Sequence, residues 1–228
     1  MPITATPMVK SDVRIRADVI SEIEWDPYIR DVPVKVSAES GVVTVTGQAP
    51  SLASRISLVD AVHRVQGVLD VVDEMTVAPT AQTMRSDADI ARAVRDSLQW
   101  DSYLPDDRIA CTVSGGVVTL RGTVDTWAHR GDAERAVARI AGVRQVVNRM
   151  TVETRPIDPS AIRLQIERAL ERRAEREARK ITVAVKDGVV TLSGTVQSWA
   201  DRNAVERVAG SAAGVTGIDD RLVVDPYS

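Results

Sequence analysis

Two histidines, a lone cysteine, four tryptophans and an arginine-rich stretch are the residues of this 228-residue chain whose chemistry goes beyond packing. A metal centre needs several ligands at set spacing, and His63 and His129 stand far apart with no matched partner. They predict no metal site. Cys111 has no second cysteine with which to form a disulfide, and nothing near it in sequence would lower a thiol pKa. It reads as a small apolar filler. The glycines lack the spacing of a phosphate-binding loop. No nucleophile elbow or recurring pair of carboxylates accompanies them, so the chain reads as a non-enzyme that uses no cofactor.

The tryptophans carry more information, because aromatic residues make up only 3% of the chain and Phe is absent. Trp25 and Trp100 recur 75 residues apart, beside Tyr28 and Tyr103, where a third position holds Arg172. Trp127 and Trp199 recur 72 residues apart, just before a helical pattern. Such residues serve either as anchors at a lipid interface or a partner's pocket, or as packing between structural units. A second candidate is the run from Arg163 to Lys180, with Arg172, Arg173 and Arg176 on a helix whose apolar stripe is Ile162, Ile166 and Leu170. Contact with an anionic surface through arginine charge is the chemistry it offers. Binding is therefore expected at Trp25, Trp100, Trp127, Trp199, Arg172, Arg173 and Arg176.

These residues are set in a threefold repeat. Gly41-Val42-Val43-Thr44-Val45-Thr46-Gly47, Gly116-Val117-Val118-Thr119-Leu120-Arg121-Gly122 and Gly188-Val189-Val190-Thr191-Leu192-Ser193-Gly194 mark one unit used three times. Each unit opens with a helix of apolar spacing four: Ile15, Val19, Ile23; Ile90, Val94, Leu98; Ile162, Ile166, Leu170. Ser86 or Asp87 is expected to cap the second of these, and Asp158-Pro159 to start the third. Two strands follow around a tight turn, with Asp187-Gly188 the strongest hairpin signal because a primed turn needs positive φ. Cys111 aligns with Val36 and Val183 on the core side of the first strand. A second helix comes next, with Gly67, Gly142 and Gly214 read as its stops, and a third strand closes the unit. The spacing predicts an α+β fold of three tandem α-β-β-α-β units at 11–77, 86–152 and 158–224. Each would be a three-stranded mixed sheet with two helices on one face. Proline-containing linkers of six or fewer residues should hold neighbouring units close.

The run Gly-Val-Val-Thr-Leu-x-Gly, extended by Thr123-Val124 and Trp127 and by Thr195-Val196 and Trp199, resembles the bacterial BON domain. So do the Ala-rich helix and the closing Asn or Asp before Met-Thr-Val. The first unit matches more loosely, with Gln48-Ala49 and Leu52 at those places. The whole chain is similar to triple-BON proteins, and more distantly to osmotically inducible periplasmic proteins with two such domains. That resemblance implies a non-catalytic, stress-associated module bound to phospholipid surfaces, with chaperone-like roles or potassium binding in relatives. A holdase or protein scaffold working through exposed sheet faces is the competing reading.

Charge and composition narrow the partners. The three units carry net charges of −4 (7 basic, 11 acidic), +1 (10 and 9) and 0 (12 and 12) over residues 1–84, 85–152 and 153–228. None is basic enough for binding led by nucleic-acid phosphate. No apolar run approaches the roughly 18 residues of a transmembrane helix. The first ten residues lack the pattern of a secretion signal, so a cytoplasmic location is expected.

Overall fold

The computed structural model describes residues 10–100, 106–153, 157–173 and 181–226. Unit one comprises α1 (Asp12–Trp25), β1 (Val34–Glu39), β2 (Val42–Ala49), α2 (Leu52–Arg64) and β3 (Asp70–Val77). Unit two comprises α3 (Asp87–Trp100), β4 (Ile109–Ser114), β5 (Val117–Val124), α4 (Trp127–Ala138) and β6 (Gln145–Val152). Unit three comprises α5 (Pro159–Arg173), β7 (Ile181–Lys186), β8 (Val189–Val196), α6 (Trp199–Gly210) and β9 (Gly217–Val224). In every sheet the middle strand pairs antiparallel with the strand before it and parallel with the strand after the helix. This is the α+β arrangement that the repeat predicts.

Alternation of side chains across the pleat sends one face of each sheet inward. Val43 and Val45, Val118 and Leu120, Val190 and Leu192 are wholly buried there. The stripes Ile15, Val19, Ile23 on α1, Ile90, Val94, Leu98 on α3 and Ile162, Ile166, Leu170 on α5 close over them. Three separate apolar cores result, one to a unit, and among the described residues no polar or charged residue is buried. Cys111 is half-buried against the second core, at the strand position that the alignment gave it.

The turns show how backbone chemistry fixes the register. Ser40-Gly41, Gly115-Gly116 and Asp187-Gly188 all have φ between 52° and 79° at both central positions, the geometry of the primed hairpin turn. In units one and two a carboxylate from the first helix ties this turn down. Asp12 accepts from the amides of Ser40 and Gly41 at 2.9 Å each, and Asp87 from those of Gly115 and Gly116 at 2.8 and 2.9 Å. Asp87 is therefore not the helix cap; the Ser86 hydroxyl takes that role by accepting from the Asp89 amide. Unit three has Pro159 at the equivalent place, and Asp158 caps its own helix through Ser160.

Two glycine positions behave differently from one another. Gly122 has φ +126°, and a Cβ there would lie 2.0 Å from the Arg108 carbonyl oxygen, so no other residue fits without moving the start of β4. Gly67, Gly142 and Gly214 are not helix stops. The helices end earlier, at Arg64, Ala138 and Gly210, and these glycines supply positive φ within the turn that leads to the last strand.

Two stability outcomes follow. Asp87→Ala removes two hydrogen bonds to a charged acceptor and is expected to destabilise unit two by about 2 kcal/mol in urea denaturation. Gly122→Ala is expected to cost at least ~2 kcal/mol in the same measurement, because backbone strain and a backbone clash act together.

Candidate functional site

The first residue of each unit's second helix marks the place where units meet. Ser51, Thr126 and Ser198 cap these helices by accepting from the amides of Ser54, His129 and Asp201. The cap fixes the direction in which Leu52, Trp127 and Trp199, one residue later, leave the helix. An arginine one turn on then braces each site. Arg130 lies over the Trp127 ring at 4.8 Å and Arg202 over the Trp199 ring at 4.7 Å. Strand residues hold the arginines: Arg55 bonds Asp73 at 2.8 Å, Arg202 bonds Asp220 at 2.7 Å, and Arg130 donates to the Asn148 carbonyl at 2.8 Å. The side chains of the same three strand residues, Asp73, Asn148 and Asp220, accept from the amides of Met75, Met150 and Leu222.

Each of these leading residues packs on the next unit. Leu52 of unit one lies against the core of unit two and lines a cleft with Ala138. Trp127 of unit two lies against the core of unit three, where a Cβ on Gly210 would come within 3.0 Å of its ring. Trp199 of unit three stacks on His63 of unit one, with ring centroids 4.0 Å apart and an interplanar angle of 21°. Ala138, Gly210 and His63 are equivalent positions near the end of the second helix, so one contact is used three times, head to tail. It closes on itself, as a heterologous interface does when its rotation completes a ring. Helices α2, α4 and α6 converge where the units meet. A cleft of about 420 Å³ there is lined by Asp60, Trp127, Arg135, Glu206 and Arg207 among others.

The sequence-selected residues thus separate into two groups. Trp127 and Trp199 are partly buried between units, which is the packing role that their spacing left open. Trp25 and Trp100 are 87% and 88% exposed at the ends of α1 and α3, and Tyr28 beside the first is 86% exposed. Arg176 lies outside the described residues, as do the side chains of Arg172 and Arg173, although both belong to α5. The apolar stripe of α5 is buried in the third core, leaving Arg163 and Arg168 on its exposed side.

Neither histidine takes part in a metal cluster: among the described residues no three of His, Cys, Asp and Glu stand together. His129 turns its Nδ1 into the protein beside Thr126 and Ser211. Burial holds the His63 imidazole below its ordinary pKa, Arg202 adds to this, and Asp60 and Asp70 oppose it. The closing Asn or Asp singled out in the sequence is Asp73, Asn148 and Asp220, but the arginines that pair with it, Arg55, Arg130 and Arg202, were not singled out. Both recur at the offsets of the glycine signature, so the signal was present.

The BON domain family matches the chain three times, over residues 11–79, 86–154 and 158–226, and the chain belongs to that family. BON domains are modules of the binding type rather than catalytic ones. No curated protein matches the chain in sequence. Among solved structures, it is similar to CdsD, a structural protein of the type III secretion system of Chlamydia trachomatis. That match has 14% identity and a TM-score of 0.27, and covers 92% of this chain and 91% of that one. The C-terminal domain of CdsD matches at 14% identity and a TM-score of 0.26, covering 95% of this chain and all of that one. Nothing about arrangement or function follows from likenesses this low.

The two tryptophan groups should respond differently to truncation. Trp127→Ala is expected to lower stability in urea by about 2–3 kcal/mol, because it leaves a void facing Gly210. Trp25→Ala should change stability by no more than about 0.5 kcal/mol.

Proposed function

We propose that this protein is a non-catalytic, stress-associated binding protein whose target is an anionic phospholipid surface. The observation that carries this reading is the near-complete exposure of Trp25, Tyr28 and Trp100. Tryptophan and tyrosine have an apolar body with a polar edge, which suits them to the boundary between headgroups and acyl chains. Leaving rings of this size in water contributes nothing to folding, so their exposure supports a role outside the fold. Trp25 and Trp100 occupy equivalent positions in units related by the ring.

Charge selection falls to unit three, which has Arg172 at the equivalent position and Arg163 and Arg168 on the outer side of α5. Contact is made at the surface: no described helix is long and apolar enough to cross a membrane. The outer faces of the sheets support the competing scaffold reading less well. Lys35, Ser37, Glu74 and Thr76 are exposed there and Thr44 is half-buried; the exposed Val72, Val189 and Val223 are scattered over two sheets among these polar residues and form no continuous apolar face for an unfolded client.

Co-sedimentation with vesicles of mixed anionic and zwitterionic phospholipid tests this reading. Binding is expected at low salt and should be lost by about 0.3–0.5 M salt. Trp25→Ala and Trp100→Ala should each weaken it about 5- to 30-fold, the equivalent of roughly 1–2 kcal/mol of aromatic burial. Replacing Arg172, Arg173 and Arg176 together with Gln should weaken it further without unfolding the protein. Absence of binding to anionic vesicles at low salt removes the lipid assignment; suppression of client aggregation in its place would select the holdase.

A further inference from the structure

The threefold repeat supplies its own control for charge, because each outward strand position occurs once in every unit. On the outer face of the second sheet, Arg121 of β5 and Arg149 of β6 are partners in the parallel ladder, and both are exposed. Like charges directly opposite on neighbouring strands oppose folding. At the equivalent places unit one has Thr46 opposite Glu74, and unit three has Ser193 opposite Arg221. The single arginine of unit three is neutralised within its own strand, where Asp219 accepts from it at 2.9 and 2.6 Å. Val147 stands at that position in unit two. Neither the Arg121 nor the Arg149 guanidinium has an ion-pair or hydrogen-bond partner among the described residues.

The surroundings extend this pattern. Thr123 and Thr151, the next cross-strand pair on the same face, put two hydroxyls beside the two guanidinium groups. The Thr151 hydroxyl donates to the Gly122 carbonyl at 3.4 Å, a long contact that an ionised acceptor can replace. On its other side Arg121 faces Ala110, which brings no charge. The carboxylates at the ends of these strands, Asp125 and Glu153, both act on Arg108, which donates to Asp125 at 2.8 Å. The strand positions around the arginine pair therefore offer donors and no acid. Folding gives no reason to keep two unopposed cations side by side; a bound anion does.

We propose that Arg121, Arg149, Thr123 and Thr151 form a binding site for the phosphate monoester of a small soluble molecule. A monoester carries close to two negative charges near neutral pH and has three acceptor oxygens, which matches two guanidinium groups with an oxygen left for a hydroxyl. A guanidinium grips phosphate oxygens in pairs, and neighbouring strands are only about 4.8 Å apart, so both arginines reach one phosphoryl group. The phosphodiester of a lipid headgroup, with a single charge, leaves one arginine unmatched. Binding relieves the repulsion between the arginines, so the feature that opposes folding favours the complex. The site shares no residue with Trp25, Tyr28 and Trp100.

Nuclear magnetic resonance of the intact, isotope-labelled chain at constant ionic strength and about pH 7.5 tests the proposal, with methyl phosphate as the probe. The expected result is saturable shifts centred on Arg121, Thr123, Arg149 and Thr151 at millimolar methyl phosphate, with dimethyl phosphate binding at least about tenfold more weakly. Arg121→Thr introduces the residue type that unit one has there, and Val147→Asp supplies the carboxylate that holds Arg221 in unit three. Each should weaken methyl phosphate binding about tenfold or more. Arg121→Thr should also keep or raise the urea midpoint, because the repulsion is gone. Absence of saturable shifts, an equal response to dimethyl phosphate or to chloride, or unchanged affinity in either variant overturns the proposal. A fall in the urea midpoint of Arg121→Thr does so as well, since the arginine would then serve the fold. Because no lipid is present, none of these outcomes bears on the vesicle experiment.

Discussion

One constraint governs the molecule: a unit of about 70 residues buries too little of its surface to be comfortably stable alone. Each unit meets this by giving up one side chain, at the start of its second helix, to its neighbour. Because the contact is head to tail and there are three units, none is left with an unfilled surface. The cap, the inserted residue, the arginine a turn later and the strand residue that holds it form a single device. Removing any member loosens the seating of the others. The core within each unit is aliphatic and could belong to many small sandwiches. What distinguishes this chain is how its cores are joined.

The inserted and receiving residues vary in a correlated way. Leucine lies near alanine, tryptophan against glycine, and the second tryptophan flat against a histidine ring. Packed interiors tolerate little unfilled or overfilled volume, so each junction must be balanced separately. His63 stood out in sequence because it matched neither Ala138 nor Gly210, and that mismatch reflects the particular ring it has to accommodate. Its chemistry here is stacking rather than ligation.

How much of this was legible in the sequence depends on whether the cause was local. The hairpins were readable because Asp187-Gly188 and its counterparts express a backbone requirement within two residues. So were the helix stripes, since Ile90, Val94 and Leu98 carry their own period. The glycines at 67, 142 and 214 were assigned to the wrong feature: positive φ was needed, but in the following turn rather than at the helix end. Ser86 and Asp87 were both open as caps because both stand at the start of a helix; Ser86 is the cap, whereas the Asp87 carboxylate serves a turn 28 residues away. The exposure of Trp25 and the burial of Trp127 could not be separated from sequence, since both sit at helix ends in an aromatic-poor chain. Only the placement of a neighbouring unit separates them.

The substitution of Pro159 for the aspartate found at positions 12 and 87 sets the third unit apart from its siblings. In the first two, a carboxylate welds the opening helix to the hairpin, so neither can move without disturbing the other. In the third, Pro159 stands in the place of that carboxylate, and the described residues of α5 that meet its core are the aliphatic Ile162, Ile166 and Leu170. Cooperative structure yields first where such cross-connections are fewest. Amide protons of α5 should therefore be the earliest of the three opening helices to trade with solvent, giving a nominally threefold molecule one soft corner.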